Sequence, residues 1–218
     1  MKVLILVLSN YDSSLYNRFL QAQEKTWDSI EEKNVKTFFY YGNRQNDEII
    51  GNHIHLRIDE TLHNCGPKTI KCFEQILNLE FDFIFRTNSS SYVDKKLLVK
   101  YLKDKPRNKY YSGIIGNHLG IPFCSGSGFF LSKDLVKLLV DNQNLLDYTY
   151  IDDVSIAKLL NSFNIELKQS ERFDVIDDNI PTNFFHYRLK TEDRNEDINR
   201  MKKIFDNKCN ILQETSLN

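Results

Sequence analysis

The chain opens on Val3–Leu8 (VLILVL), six apolar residues in a row. A strand that reads this way needs both faces covered, because a strand with one buried face alternates. The polar string Ser9-Asn10-Tyr11-Asp12 closes it. Further strands are expected at Val35–Tyr41, His53–Ile58, Phe81–Phe85, Tyr110–Ile115 and Phe129–Leu131. Helical spacing of apolar residues separates them. It predicts helices within Ser13–Ile30, after Pro67, over Leu97–Leu102, over Lys133–Val140, and over Val154–Phe163 behind Asp152-Asp153. Asn43–Asn52 reads as loop, Cys124–Gly128 as a small-residue turn, and Ile165–Leu167 as a short strand. A charged helix near Glu192–Phe205 and then a tail complete the reading. Strands alternating with helices predict an α/β fold with a central, mostly parallel sheet flanked by helices. In such sheets ligands bind beyond the carboxyl ends of the strands, which puts Ser9–Asp12 and Arg86–Ser91 on the functional edge.

Composition matters here mainly for what it excludes. With 218 residues, 41% of them hydrophobic, and no repeat or linker, one domain over 1–218 is expected, with a C-terminal helix and tail from about residue 190. Lys plus Arg is 29 against 30 Asp plus Glu, so no basic footprint points to a nucleic-acid partner. Cys65, Cys72, Cys124 and Cys209 form no CxxC pair and read as reduced thiols. His53, His55, His63 and Cys65 fit no structural zinc spacing; the first two read as one face of a strand. Val3–Leu8 is too short for the apolar region of a signal peptide, and no run approaches the roughly 18 apolar residues of a membrane span. A cytoplasmic location is the resulting expectation.

No GxxxxGK[ST] or GxGxxG motif follows the first strand. The string CSGSGFF lacks the lysine of a phosphate loop and the strand–Ser–helix context of a nucleophile elbow. Its Ser125, Gly126, Ser127 and Gly128 read either as a tight turn or as backbone that a substrate approaches closely. Five strings occur in an order that resembles glycosyltransferase family 31, the Fringe and β1,3-galactosyl/N-acetylglucosaminyltransferase group. Glu24-Lys25-Thr26-Trp27 is similar to that family's R-x-T-W, and Asp59–Thr69 (DETLHNCGPKT) to its acidic-x-Y-x-N-L-x-x-K-T. Phe83–Val93 (FIFRTNSSSYV) falls where the family has a strand followed by D-D-D. Cys124–Ser132 resembles Y-x-S-G-x-G-Y-x-x-S, and Tyr150–Ile165 resembles E/D-D-V-x-x-G-x-x-x-x-x-x-G-I.

The resemblance implies a GT-A fold (Rossmann-like, nucleotide-diphospho-sugar transferase) and an inverting transfer. The donor would lie over the first strand, near Ser9, Asn10 and Asp12, with Ser125–Gly128 near the transferred sugar or acceptor. The family's base falls on Asp153, with Asp152 beside it; by residue type alone, either aspartate could equally cap the following helix. The departure is at the acidic triplet, where this chain has Asn88-Ser89-Ser90. Neutral side chains are weak ligands for a hard cation. A metal-free site is therefore expected, with Mn2+ or Mg2+ as the alternative, His186 then being the metal ligand. Lys68, Arg86 and Arg188 are the candidates to neutralise the donor diphosphate, with Asn88, Ser90 and His186 as further donor contacts and Lys190 as a weaker one. Arg18, Lys25 and Trp27 are less specific, and Trp27 reads equally as core.

These readings give an expected function: transfer of a hexose from a nucleotide sugar, a UDP-sugar, to a glycan, glycolipid or glycoprotein hydroxyl in a β linkage. The absent membrane anchor differs from the family's animal Golgi members and fits a bacterial or viral enzyme. The alternative is a non-catalytic glycan- or nucleotide-binding module on a degenerate GT-A scaffold. A sugar-nucleotide pyrophosphorylase would need a glycine-rich basic loop after the first strand, which Ser9–Ser14 does not provide.

Overall fold

The computed structural model describes residues 1–216, with side-chain environments through residue 210. The elements in order are β1 (Val3–Leu8), α1 (Ser14–Lys25) with a 3-10 turn at Trp27–Ser29, β2 (Val35–Tyr41), β3 (Glu48–Ile50), β4 (His53–His55) and α2 (Cys65–Ile76). Then come β5 (Phe83–Asn88), β6 (Ser91–Val93), α3 (Lys95–Leu102), β7 (Tyr111–His118), β8 (Ile121–Ser132), α4 (Lys133–Asp141) and a 3-10 turn at Gln143–Leu145. The last are α5 (Asp152–Ser162), β9 (Leu167–Gln169), β10 (Phe173–Asp174), β11 (His186–Arg188) and α6 (Arg194–Ser216).

Eight strands form the central sheet in the order β3-β4-β2-β1-β5-β8-β7-β9. β1, β2, β4 and β5 are parallel; β8 runs against both β5 and β7, and β3 runs against β4. β1 sits between β2 and β5, and its side chains divide by parity. Leu4 and Leu6 join a core with α2, α4 and α5, including Phe73, Leu135 and Leu160. Val3, Ile5 and Val7 join a second core with α1, α3 and α6, including Phe19, Leu98 and Met201. This two-sided burial is why the strand carries no polar residue. A small sheet, β10-β11-β6, leans on the second core.

Several local expectations change. Asn43–Asn52 contains the short edge strand β3, whose Ile49 packs on the core. The polar residues Arg86-Thr87-Asn88 continue β5, because the parallel ladder to β1 runs as far as Leu8 and Asn88. Helix α6 continues through the segment read as tail, up to Ser216; residues 217–218 lie outside the described residues. Cys124–Gly128 is not a turn before a strand but lies inside β8. There, the two steps from Gly113 to Ile115 on β7 face the five steps from Phe129 to Cys124 on β8. The small residues form a wide bulge in an otherwise regular hairpin. His53 and His55 do share one side of β4, flanking the buried Ile54. Among the described residues no helix is long and apolar enough to cross a membrane.

Candidate active site

The carboxyl ends of β1 and β5 lie side by side, as their register requires. A cavity of about 380 Å³ opens there. It gathers Ser9, Asn10, Asn88 and Ser90 from the strand ends and Lys68 from α2. It also brings in two residues from the C-terminal segment, Lys190 and Arg194. A cavity of about 310 Å³ beside Trp27 and Lys95 lies elsewhere and holds none of the expected catalytic or donor-binding residues.

The polar string after β5 serves two purposes. Thr87 and Ser91 point inward and donate hydrogen bonds to the Ser127 carbonyl at 2.6 and 3.2 Å. They satisfy backbone that the bulge removes from the ladder. Asn88, Ser89 and Ser90 turn toward the cavity. The Asn88 side chain accepts from Ser90 N–H at 3.0 Å, the local turn that Asn favours, and Ser89 Oγ donates to the Leu8 carbonyl at 3.3 Å.

Beside the cavity stands a buried charge cluster. Arg86, 2% exposed, pairs with Asp152 and also donates to the Gly126 carbonyl and to Tyr40 Oη, the last at 3.1 Å. Burial opposes its charge, but Asp152, Tyr40 and Asp153 together outweigh that and raise the Arg86 pKa. Thr69 Oγ1 donates to Asp152 at 3.3 Å. Asp153, 6% exposed, accepts from Gly126 N–H at 2.7 Å and from Val154 N–H at 2.9 Å. Burial pushes its pKa up, the neighbouring Asp152 charge adds to that, and the Gly126 hydrogen bond and Arg86 oppose it. Both aspartates occupy the first turn of α5, where the helix dipole favours negative charge. The helix caps on Ile151, whose side chain makes no capping bond; Asp153 instead satisfies the first-turn Val154 N–H. The start of α2 touches both cavity and aspartates: Cys65 lines the cavity, while a Cβ on Gly66 would stand 3.8 Å from the Asp152 Cα.

Other expected contacts lie away from the cavity. Arg86 spends its guanidinium on Asp152. His186 is 1% exposed, bonded to Ser91 Oγ at 3.0 Å, and packed against Phe85. Burial, then the Arg172 and Arg188 charges, push its pKa down to about 3, so it is a neutral core residue. Arg188 lies 3.8 Å from Asp174 on β10. Asp12 is exposed and bound to Asn43 and Arg44. Arg18 and Lys25 are exposed on α1, and Trp27 is core. At the bulge, Arg172 bonds the Ser127 hydroxyl and reaches Ser125 Oγ at 3.5 Å. What approaches the Gly126 and Gly128 backbone is protein: Arg86 and Asp153 on one side, His186 and Phe85 on the other. Arg172 and Arg194 carried no motif; only folding brings them here.

The residues do not suit a hard divalent cation. Asn88, Ser89 and Ser90 offer amide and hydroxyl groups already bonded to Ser90 N–H, the Leu8 carbonyl and Arg194. Among the described residues no three His, Cys, Asp or Glu side chains cluster as metal ligands.

Several known proteins are similar to this chain. The family model described as Galactosyltransferase matches residues 119–171, a span holding the bulge and both aspartates. Mouse (Mus musculus) UDP-GalNAc:beta-1,3-N-acetylgalactosaminyltransferase 1 is 23% identical over 209 residues, covering 79% of this chain and 60% of that protein. Human (Homo sapiens) beta-1,3-galactosyltransferase 5 is 22% identical over 203 residues, covering 76% and 65%. The chain thus spans about 60% of the length of the first of these relatives. Among solved structures, a glycosyltransferase involved in glycosylating the major capsid of PBCV-1 superposes with a TM-score of 0.60 at 12% identity, over 93% of this chain and all of that one. The apo glycosyltransferase GlyE of Streptococcus pneumoniae TIGR4 gives 0.52 at 12% identity, over 95% and 63%. The chain therefore has the GT-A fold of those solved structures.

Proposed function

We propose that the protein is an inverting glycosyltransferase that moves a hexose from a UDP-sugar to a hydroxyl of a glycan or glycoconjugate, without a resident metal. The observation that carries this reading is the placement of Asp153. It is a buried, pKa-raised carboxylate at the start of α5, one helix start away from a polar cavity at the carboxyl ends of β1 and β5. The named relatives, which use β1,3 transfer of galactose or N-acetylgalactosamine, support the same class of reaction.

The acceptor oxygen attacks the anomeric carbon from the face opposite the nucleotide. As that C–O bond forms, the anomeric C–O bond to the diphosphate breaks, and the electron pair leaves with the nucleoside diphosphate. The hydroxyl proton passes to the Asp153 carboxylate. A base with a raised pKa takes that proton more readily than an ordinary carboxylate. Arg86 and Gly126 hold Asp152 and Asp153 in register; neither is placed to touch the donor.

The test is transfer by wild type and Asp153→Asn on a panel of UDP-hexoses, with UDP binding measured in parallel. Loss of turnover by roughly 10²–10⁴-fold with UDP affinity retained supports the assignment. Unchanged turnover removes Asp153 as the base. Wild-type protein that binds UDP yet neither transfers nor hydrolyses any donor would instead be a nucleotide-binding module, the reading that the neutral Asn88-Ser89-Ser90 triplet favours.

A further inference from the structure

The cavity beyond β1 and β5 is built to receive negative charge. Lys68, Lys190 and Arg194 all line it. The Lys68 side chain is 3% exposed; Glu60 at 2.5 Å and the Ser9 carbonyl at 3.3 Å aim its ammonium, leaving one of three N–H donors free. Arg194 is fixed at the rim by Asp197, by the Leu189 carbonyl at 3.1 Å, by Ser90 Oγ at 2.7 Å and by the Phe19 ring. Its Nε has no partner among the described residues. Lys190 is exposed, two residues beyond β11, and makes no ion pair among the described residues. A fourth group points the same way. Ser9 is 4% exposed, lines the same cavity, and its hydroxyl has no hydrogen-bond partner among the described residues. A buried hydroxyl without a protein partner is free to bond a ligand or a water.

We infer that Lys68, Lys190 and Arg194, with the Ser9 hydroxyl, form a cationic clamp for the donor's diphosphate, supplying the charge a divalent cation supplies where the triplet after β5 is acidic. This rests on reading the cavity as the donor site. Glu60 is the one acidic side chain in the lining among the described residues, and it is already bonded to Lys68 and to Gly42 N–H. Arg194 is bonded to Ser90, the last residue of the Asn88-Ser89-Ser90 triplet. A guanidinium and a divalent cation there would repel each other.

The test is calorimetric titration of inorganic pyrophosphate and of UDP, each with excess EDTA and again with manganese, into wild type, Lys190→Gln and Arg194→Gln. The clamp predicts that both ligands bind wild type in EDTA and that each variant weakens both by roughly tenfold, as for a lost charge-assisted contact. Lys190 is exposed and makes no ion pair among the described residues, so its variant tests the clamp without disturbing the fold. Binding that needs manganese, or unchanged affinity in both variants, overturns the clamp while leaving the donor site in place. Pyrophosphate binding in EDTA without UDP binding keeps the clamp and removes the uridine donor. No binding of either ligand in either condition overturns both.

Discussion

Asp152 and Asp153 are neighbours in the chain, and their carboxylates meet different surroundings. Asp152 faces the Arg86 guanidinium and Thr69; Asp153 faces two backbone N–H groups. Asp153 is held above the ordinary carboxylate range, so in the window between its unfolded and folded pKa the native state binds the extra proton. Stability then falls as pH rises through that window. Asp153→Asn removes this cost but keeps only one of the two oxygens that accept from Gly126 and Val154 N–H, so its melting temperature at neutral pH should stay close to wild type while transfer is lost. Thermal melts beside a transfer assay check it; a clear drop in melting temperature would mean the carboxylate is structural. His186 gives the opposite slope. Its folded pKa is about 3 against 6.5 unfolded, so the native state binds fewer protons between those values. Stability should be full above pH 6.5 and decline on acidification, by up to ~1.4 kcal/mol per pH unit, until about pH 3. Urea denaturation at pH 7, 6 and 5 should show this decline in wild type and a smaller one in His186→Gln.

At the scale of elements, the bulge in β8 decides the shape of the site. It lets the Gly126 N–H reach Asp153 while the Gly126 carbonyl meets Arg86. A Cβ on Gly126 would come within 3.0 Å of both Arg86 Nη1 and Asp153 Oδ2. Gly126→Ala should therefore lower kcat for transfer while leaving the Kd for UDP unchanged, because the cavity lies across α2. Gly128 is packed on its other side by His186 and Phe85. Gly128→Ala overfills that contact and should cost ~1–3 kcal/mol of stability, measured by urea denaturation. The string CSGSG shows plainly that small residues are needed. It does not show what approaches them, and here the protein's own side chains do.

Across the whole molecule, the cavity joins segments far apart in sequence: the end of β1, the start of α2, the end of β5 and the start of α6. A ligand that bridges them binds only the folded state. UDP at a hundredfold excess over its Kd should therefore raise the unfolding free energy by ~2.7 kcal/mol, in EDTA as well as with metal, measured from denaturation curves. The α/β fold, the buried β1, the main helices and the sheet edge at which the cavity opens were legible in the sequence. Each rests on local periodicity and on a general rule about parallel sheets. The Asp152-Asp153 pair and Lys68 were legible as residue types within motifs. Their partners were not: Arg86 finds Asp152 across 66 residues, and Arg194 finds Ser90 across 104. A motif gives the chemistry a side chain can offer. Whether that side chain meets a ligand or another residue depends on desolvation and on contacts between distant segments. That is why tertiary structure alone buried His186, committed Arg86 to an ion pair, and brought Lys190 and Arg194 to the cavity.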